Sequence, residues 1–176
     1  MIDQYLMCSE AKWLRQSGLV LLLPHGFDGA GPEHSTAHIE RFLQNINSNE
    51  YAMEGLEHMT GQSINFQVAN CTTPANYFHI LRRQMLRDFR KPLILATPKI
   101  GLKHPEAVST LEEMDRGTRF QPIISVGFGD PNKKADTVVL CSGKIYFDIQ
   151  AALKKEELNR NILVIRVEEL APFPAY

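Results

Sequence analysis

Pro24 to His34 (PHGFDGAGPEH) packs three glycines, Gly26, Gly29 and Gly31, and two histidines, His25 and His34, into eleven residues. Histidine exchanges a proton near neutral pH and donates hydrogen bonds to carboxylates. Glycine lets the backbone approach a ligand closely and adopt positive φ. The apolar run Leu19-Val-Leu-Leu-Leu23 precedes this stretch, and a helical apolar pattern follows it. Such a loop lies at the carboxyl end of a strand, where open parallel sheets hold ligands. It also lies at a helix start, whose free N–H groups and dipole favour an anion. The expected chemistry is the binding of a small, carboxylate-bearing anion with proton exchange. The plainer alternative is a glycine-rich turn with two solvated histidines.

Other chemistries have less support. His34 and His38 are spaced i, i+4 and His25 is a conceivable third metal ligand, but Glu33 precedes His34 and no HExxH is present. The glycines do not spell GxGxxG, and there is no P-loop and no G-x-S-x-G elbow. His79, Arg82, Arg83, Arg87 and Arg90 are spaced for a positive stripe on one helix, read as a solvated face or as an anion or partner site. Lys99, Lys103 and His104 follow a third apolar run, again at a carboxyl end. Glu168 and Glu169 read as helix-start or surface charges.

The elements that must position these residues alternate. Helices are expected over 2–16, 33–46 with Pro32 at its start, Thr73 to Phe89 and 144–158; strands over 18–23, 64–70, 92–97, 121–126, 137–141 and 162–167. The strand at 18–23 reads as buried on both faces, and Tyr77, Phe78, Leu81 and Met85 as the core face of the third helix. Residues 47–63 read as a surface loop, and 99–120 as irregular with a short helix near 110–114. Short apolar strands alternating with amphipathic helices imply βαβ units and a parallel sheet, an α/β fold. A Gly/Pro/Asn/Lys-rich linker at 127–134 divides a first unit, 1–126, from a second, 135–176. Each unit looks incomplete, so the isolated chain is expected to aggregate or to need a partner.

The chain has 176 residues, 44% apolar and 22% charged, with a net charge of −1. That balance excludes a nucleic-acid or anionic-membrane surface spread over the whole molecule. Cys8, Cys71 and Cys141 form no CxxC pair, which fits reduced thiols rather than a disulfide framework. No apolar run is long enough to span a membrane. The first residues read as neither a signal nor a transit peptide, so the expectation is a cytoplasmic protein or one given without its targeting segment.

Several stretches, in order, carry a family resemblance: "EAKWLRQSGLVLLLPHGFDGAGPEHS", "IERFLQ", "TTPANYFHILRRQMLRDFRKPLILATPK", "HPEAVSTLEEM", "CSGKIYFD" and "VIRVEELAPFP". They resemble the thiamine diphosphate-dependent, decarboxylating first component of the 2-oxoglutarate dehydrogenase complex and its 2-oxoadipate dehydrogenase relatives. The resemblance implies a transketolase-like pyrimidine-binding domain, incomplete here, followed by the start of a C-terminal α/β domain. It implies thiamine diphosphate and Mg²⁺, a 2-oxo dicarboxylic acid as substrate, and acyl transfer to the lipoyl arm of a partner acyltransferase. It further implies a homodimer in the mitochondrial matrix, serving the tricarboxylic acid cycle or lysine degradation. His34 matches the family's active-site histidine, with His25 beside it as a weaker candidate; Gly31 and Ser35 are supporting, substrate-side positions. Arg83 matches an activator-binding position of some bacterial relatives.

The departures matter as much. The family's GDG-and-asparagine motif for the diphosphate and metal is absent, because Gly129-Asp130-Pro131 breaks it at the third residue. The glutamate that activates the aminopyrimidine lies upstream in the family. The isolated chain is therefore expected not to decarboxylate. The first reading is a fragment of a working dehydrogenase, for which 2-oxoglutarate and 2-oxoadipate stand near parity. The second is a truncated, non-catalytic paralogue acting as a structural or interaction subunit. A third, an independent anion- or acyl-binding module, needs a closed core.

Overall fold

The computed structural model describes residues 1–27, 31–47, 64–155 and 160–174. Strands β1 (Val20–Leu23), β2 (Gln67–Ala69), β3 (Leu93–Ala96) and β7 (Glu169–Ala171) form one sheet in the order β1–β3–β2–β7. β1, β3 and β2 are parallel, and β7 runs antiparallel to β2. The two central strands are apolar at nearly every position because both faces are covered. Val68 and Ile94 pack with Leu6, Phe42, Phe66 and Ala171 on one side. Ala69, Leu93 and Leu95 pack with Ile80 and Phe120 on the other.

The expectation for the first strand is corrected. β1 is an edge strand, only half-buried, and Leu22 is 50% exposed. The continuous first helix becomes a π-helical turn, Ile2–Leu6, and α1 (Ser9–Trp13), closed by Leu14 at φ 52. The helix expected over 33–46 is broken as well. A three-residue 3-10 turn, Pro32–His34, is followed by α2 (Ile39–Leu43), with His38 at φ 49 between them. Of the loop expected at 47–63, all but Asn47 lies outside the described residues.

Helix α3 (Pro74–Leu86) starts where expected: Thr73 Oγ1 accepts from Asn76 N at 3.2 Å, and Pro74 occupies the first turn. Its buried face overlaps the expected one only at Tyr77 and Leu81, which pack against the core. Ala75, Asn76, His79, Ile80 and Gln84 are buried, Tyr77 and Leu81 are half-buried, and Phe78 and Met85 are exposed. Burying polar residues is tolerable here because each finds a partner. Asn76 Nδ2 donates to Gln121 O, His79 Nε2 bonds Glu113 O and Gln84 Nε2 donates to Lys91 O.

The second sheet holds β4 (Ile123–Phe128), β5 (Thr137–Cys141) and β6 (Ile162–Val167) in the order β4–β6–β5. Helix α4 (Ile145–Lys155) covers one face, with Tyr146, Phe147 and Val164 as its core. β5 is parallel to β6 but β4 is antiparallel, so the architecture is α/β with mixed rather than purely parallel sheets. The division expected at 126/127 falls inside β4, and the expected linker begins with that strand's last two residues. Beyond it, Gly129 takes φ +108 in a turn where Asn161 Oδ1 accepts from Asp130 N at 2.8 Å. The chain crosses between sheets at Glu168. Its N–H donates to Pro122 O at 2.9 Å, and its carbonyl accepts from Asn70 N at 2.8 Å.

Candidate functional site

β1 ends beside β3, where Thr97 N donates to Leu23 O at 2.8 Å, and the chain turns into the histidine loop. Two hydrogen bonds close that loop. Gly26 N donates to Ser35 O at 3.0 Å, and Ala37 N donates to His25 Nδ1 at 3.1 Å. Accepting at Nδ1 leaves Nε2 as the protonated nitrogen of a neutral His25. His34 sits at the end of the short turn, half-buried, with Nε2 3.4 Å from Glu33 Oε1. Ser35 Oγ donates to Pro32 O at 2.7 Å, and Gly31 accepts from His34 N at 3.0 Å. His25, Gly31, His34 and Ser35 thus belong to one closed loop; Gly29 lies outside the described residues.

The helix-dipole argument for an anion does not survive. The N–H groups of His34, Ser35, Ala37 and His38 are already engaged by Gly31 O, Pro32 O, His25 Nδ1 and Thr36 Oγ1. A three-residue turn has no macrodipole to offer. His38 is exposed and pairs with Glu40 at 3.3 Å, and no group of three metal-ligating side chains occurs among the described residues.

Beyond the carboxyl ends of β1, β2 and β3 lies a cavity of about 410 Å³. Leu22 and Pro24 form its wall on the loop side. Ala96, Leu102 and Phe147 keep it mainly apolar, while Thr72, Thr97, Lys99 and Lys144 add hydroxyls and ammonium groups. This is where parallel sheets place ligands. Cys71 also lines it. Burial, reinforced by the neighbouring Glu168 carboxylate, pushes that thiol well up, so it stays neutral and weakly nucleophilic. His104 instead stacks on Phe147, with ring centroids 4.3 Å apart.

The basic stripe on α3 is dispersed among partners. Arg83 forms a two-pronged ion pair with Glu169, at 2.5 and 3.1 Å, and donates to Gln67 Oε1 at 3.0 Å. Its guanidinium also lies over the Phe120 ring. Glu168 and Glu169, expected at the surface, are instead buried, 0% and 4% exposed. Glu168 accepts from Thr72 N, Thr72 Oγ1 and Asn76 Nδ2, and Arg166 Nη1 donates to Thr72 Oγ1. The readable signal was "VIRVEEL" itself: a charge pair with no break after an apolar strand continues into a second strand.

Comparison with known proteins gives two family matches. Residues 1–105 match the transketolase pyrimidine binding domain, and 108–176 match the 2-oxoglutarate dehydrogenase C-terminal domain. Over 98% of this chain, it is 51% identical to the probable 2-oxoadipate dehydrogenase complex component E1 homolog of Dictyostelium discoideum. It is 53% identical, over the same share, to the 2-oxoadipate dehydrogenase complex component E1 of Homo sapiens. It is 46% identical to the mitochondrial 2-oxoglutarate dehydrogenase of Dictyostelium discoideum. The chain spans 18–19% of the length of these relatives.

Proposed function

Because this chain belongs to the family of E1 components of the 2-oxoglutarate and 2-oxoadipate dehydrogenase complexes, we propose that it is the part of such an enzyme that carries a wall of the substrate site. The enzyme decarboxylates a 2-oxo dicarboxylic acid on thiamine diphosphate and passes the acyl group to a lipoyl arm. The observation that carries this reading is the closure of the loop from His25 to Ser35 at the carboxyl end of β1, directly after Leu22 and Pro24, which line the cavity. His34 is assigned to the substrate side, with His25 held in place by Ala37 N, which donates to its Nδ1. Gly31 and Ser35 set the loop's shape.

The fit to the cofactor is partial. Tyr77 and Phe147 offer ring surfaces at the cavity, but among the described residues no carboxylate lines it to pair with an aminopyrimidine. Among the described residues no cluster is built to hold Mg²⁺. The 176-residue chain alone is therefore expected to show no turnover. Thiamine diphosphate, when bound, supplies the electron sink for decarboxylation; this chain's residues position and exclude water.

2-Oxoadipate is the favoured substrate: in Dictyostelium discoideum the 2-oxoadipate relative is 51% identical and the 2-oxoglutarate enzyme 46%. The same kinship supports a mitochondrial site, a homodimer and a lipoyl-bearing acyltransferase as partner. The test replaces the matching segment of the Dictyostelium 2-oxoadipate E1 homolog with this chain and assays both oxo acids with an artificial electron acceptor. Turnover that falls by about 10²–10⁴ in His34→Ala supports the assignment. A folded chimera without turnover overturns it and favours the non-catalytic, structural subunit.

A further inference from the structure

The turn between β5 and α4 lies against the end of β2. Gly143 is buried, at φ +67, and a Cβ on it would overlap Asn70 Nδ2 and lie 2.8 Å from Asn70 Cγ. Asn70 is itself buried, 5% exposed. Glycine alone meets both that φ and that approach without strain. The turn leads directly into α4, where Tyr146 N donates to Gly143 O at 3.1 Å and Phe147 N to Lys144 O at 2.9 Å. Lys144 and Phe147 line the 410 Å³ cavity.

A second contact lands two residues further along the same segment. Glu168 accepts from the Thr72 backbone N–H and hydroxyl, and Arg166 Nη1 donates to that hydroxyl at 2.9 Å. The Glu168 carbonyl accepts from Asn70 N at 2.8 Å. Thr72, Thr73 and Pro74, at the start of α3, also line the cavity. Residues 70–72 are thus a seat for Gly143 and Glu168, and each contact leads within a few residues to a cavity wall. Gly143 and Glu168 do not line the cavity themselves. In a close-packed interior, a displaced turn carries its side chains with it.

We propose that Gly143 and Glu168 are positioning residues for this cavity. Gly143, through Asn70, sets where the start of α4 presents Lys144 and Phe147. Glu168, through Thr72, sets where the start of α3 presents Thr72 to Pro74. The inference rests on the reading of the cavity as the substrate side of the enzyme.

The test is steady-state kinetics with 2-oxoadipate in the Dictyostelium chimera. Gly143→Ala and Glu168→Gln are each expected to raise KM about tenfold and to leave kcat within about twofold. Adding Asn70→Ala to Gly143→Ala makes room for the methyl group and is expected to bring KM back toward the native value. A purely structural role gives the opposite split: less folded enzyme lowers the apparent kcat and leaves KM unchanged. That result overturns the proposal. If Glu168→Gln does not fold, Gly143→Ala decides. A native chimera without turnover defeats the function proposed above, and labelling of Cys71, which lines the cavity beside Thr72, then decides this inference in the 176-residue chain. With Cys8 and Cys141 replaced by serine and each variant shown folded by its urea curve, a disulfide reagent is expected to reach Cys71 about tenfold faster in Gly143→Ala than in the native background. Equal rates overturn the proposal.

Discussion

Thr72 grips Glu168 twice: its hydroxyl donates to Oε1 at 2.5 Å and its backbone N–H donates to Oε2 at 2.8 Å. The two residues are 96 positions apart, and the contact ties the end of β2 to the crossing point between the sheets. Thr72→Val keeps the shape and removes the hydroxyl, leaving a buried carboxylate and Arg166 Nη1 each short of a partner. The expected loss is about 1.5–3 kcal/mol of unfolding free energy, read from urea denaturation.

The same carboxylate gives a pH signature. Burial raises the Glu168 pKa above its usual 4.5, opposed by the hydrogen bonds from Thr72 and Asn76. The folded state therefore holds the proton more tightly than the unfolded state. The resulting stabilisation is fully present below the unfolded value and is lost as pH rises from there through the raised folded value. Urea midpoints measured from about pH 4 to 7 are expected to fall in the native chain relative to Glu168→Gln. A constant difference across that range is the opposing result.

Arg83 and Glu169 form a largely buried pair, with side chains 20% and 5% exposed. Arg83→Met alone leaves Glu169 uncompensated and is expected to cost about 3–5 kcal/mol. The double variant Arg83→Met with Glu169→Leu is expected to recover much of that loss. A double-mutant cycle by chemical denaturation measures the coupling.

The three thiols are expected to react in an order set by burial. Cys71 is pushed well up, mainly by burial, and Cys141 is raised less, also mainly by burial. A chromogenic disulfide reagent should label Cys8 first and Cys71 last in the folded chain. All three should react together in denaturant.

β5 is an edge strand that exposes Val138 and Leu140, the latter 68% exposed. Such an edge promotes pairing between chains. Sedimentation of the 176-residue chain is expected to show concentration-dependent association, weakened in Leu140→Lys without a drop in the thermal midpoint. A monodisperse native chain is the contrary outcome.

What the sequence determined by itself is local. The apolar runs at β2, β3, β5 and β6, the Thr73-Pro74 helix start and the α/β alternation all follow from short-range patterning and capping, which need no partner to be read. The motif order was enough to reach the family. The tertiary structure decided everything that depends on a distant neighbour. The α3 face turned toward Asn76, His79 and Gln84 because their partners Gln121, Glu113 and Lys91 are supplied by other segments. The Pro32 helix broke because the loop's N–H groups found His25 and Thr36 closer at hand. Glu168 and Glu169 read as surface charges until β7 paired with β2 and delivered Thr72, Asn76 and Arg83 to meet them. Periodicity records which residues avoid water, whereas a buried charge is permitted only by donors that the chain brings from far away.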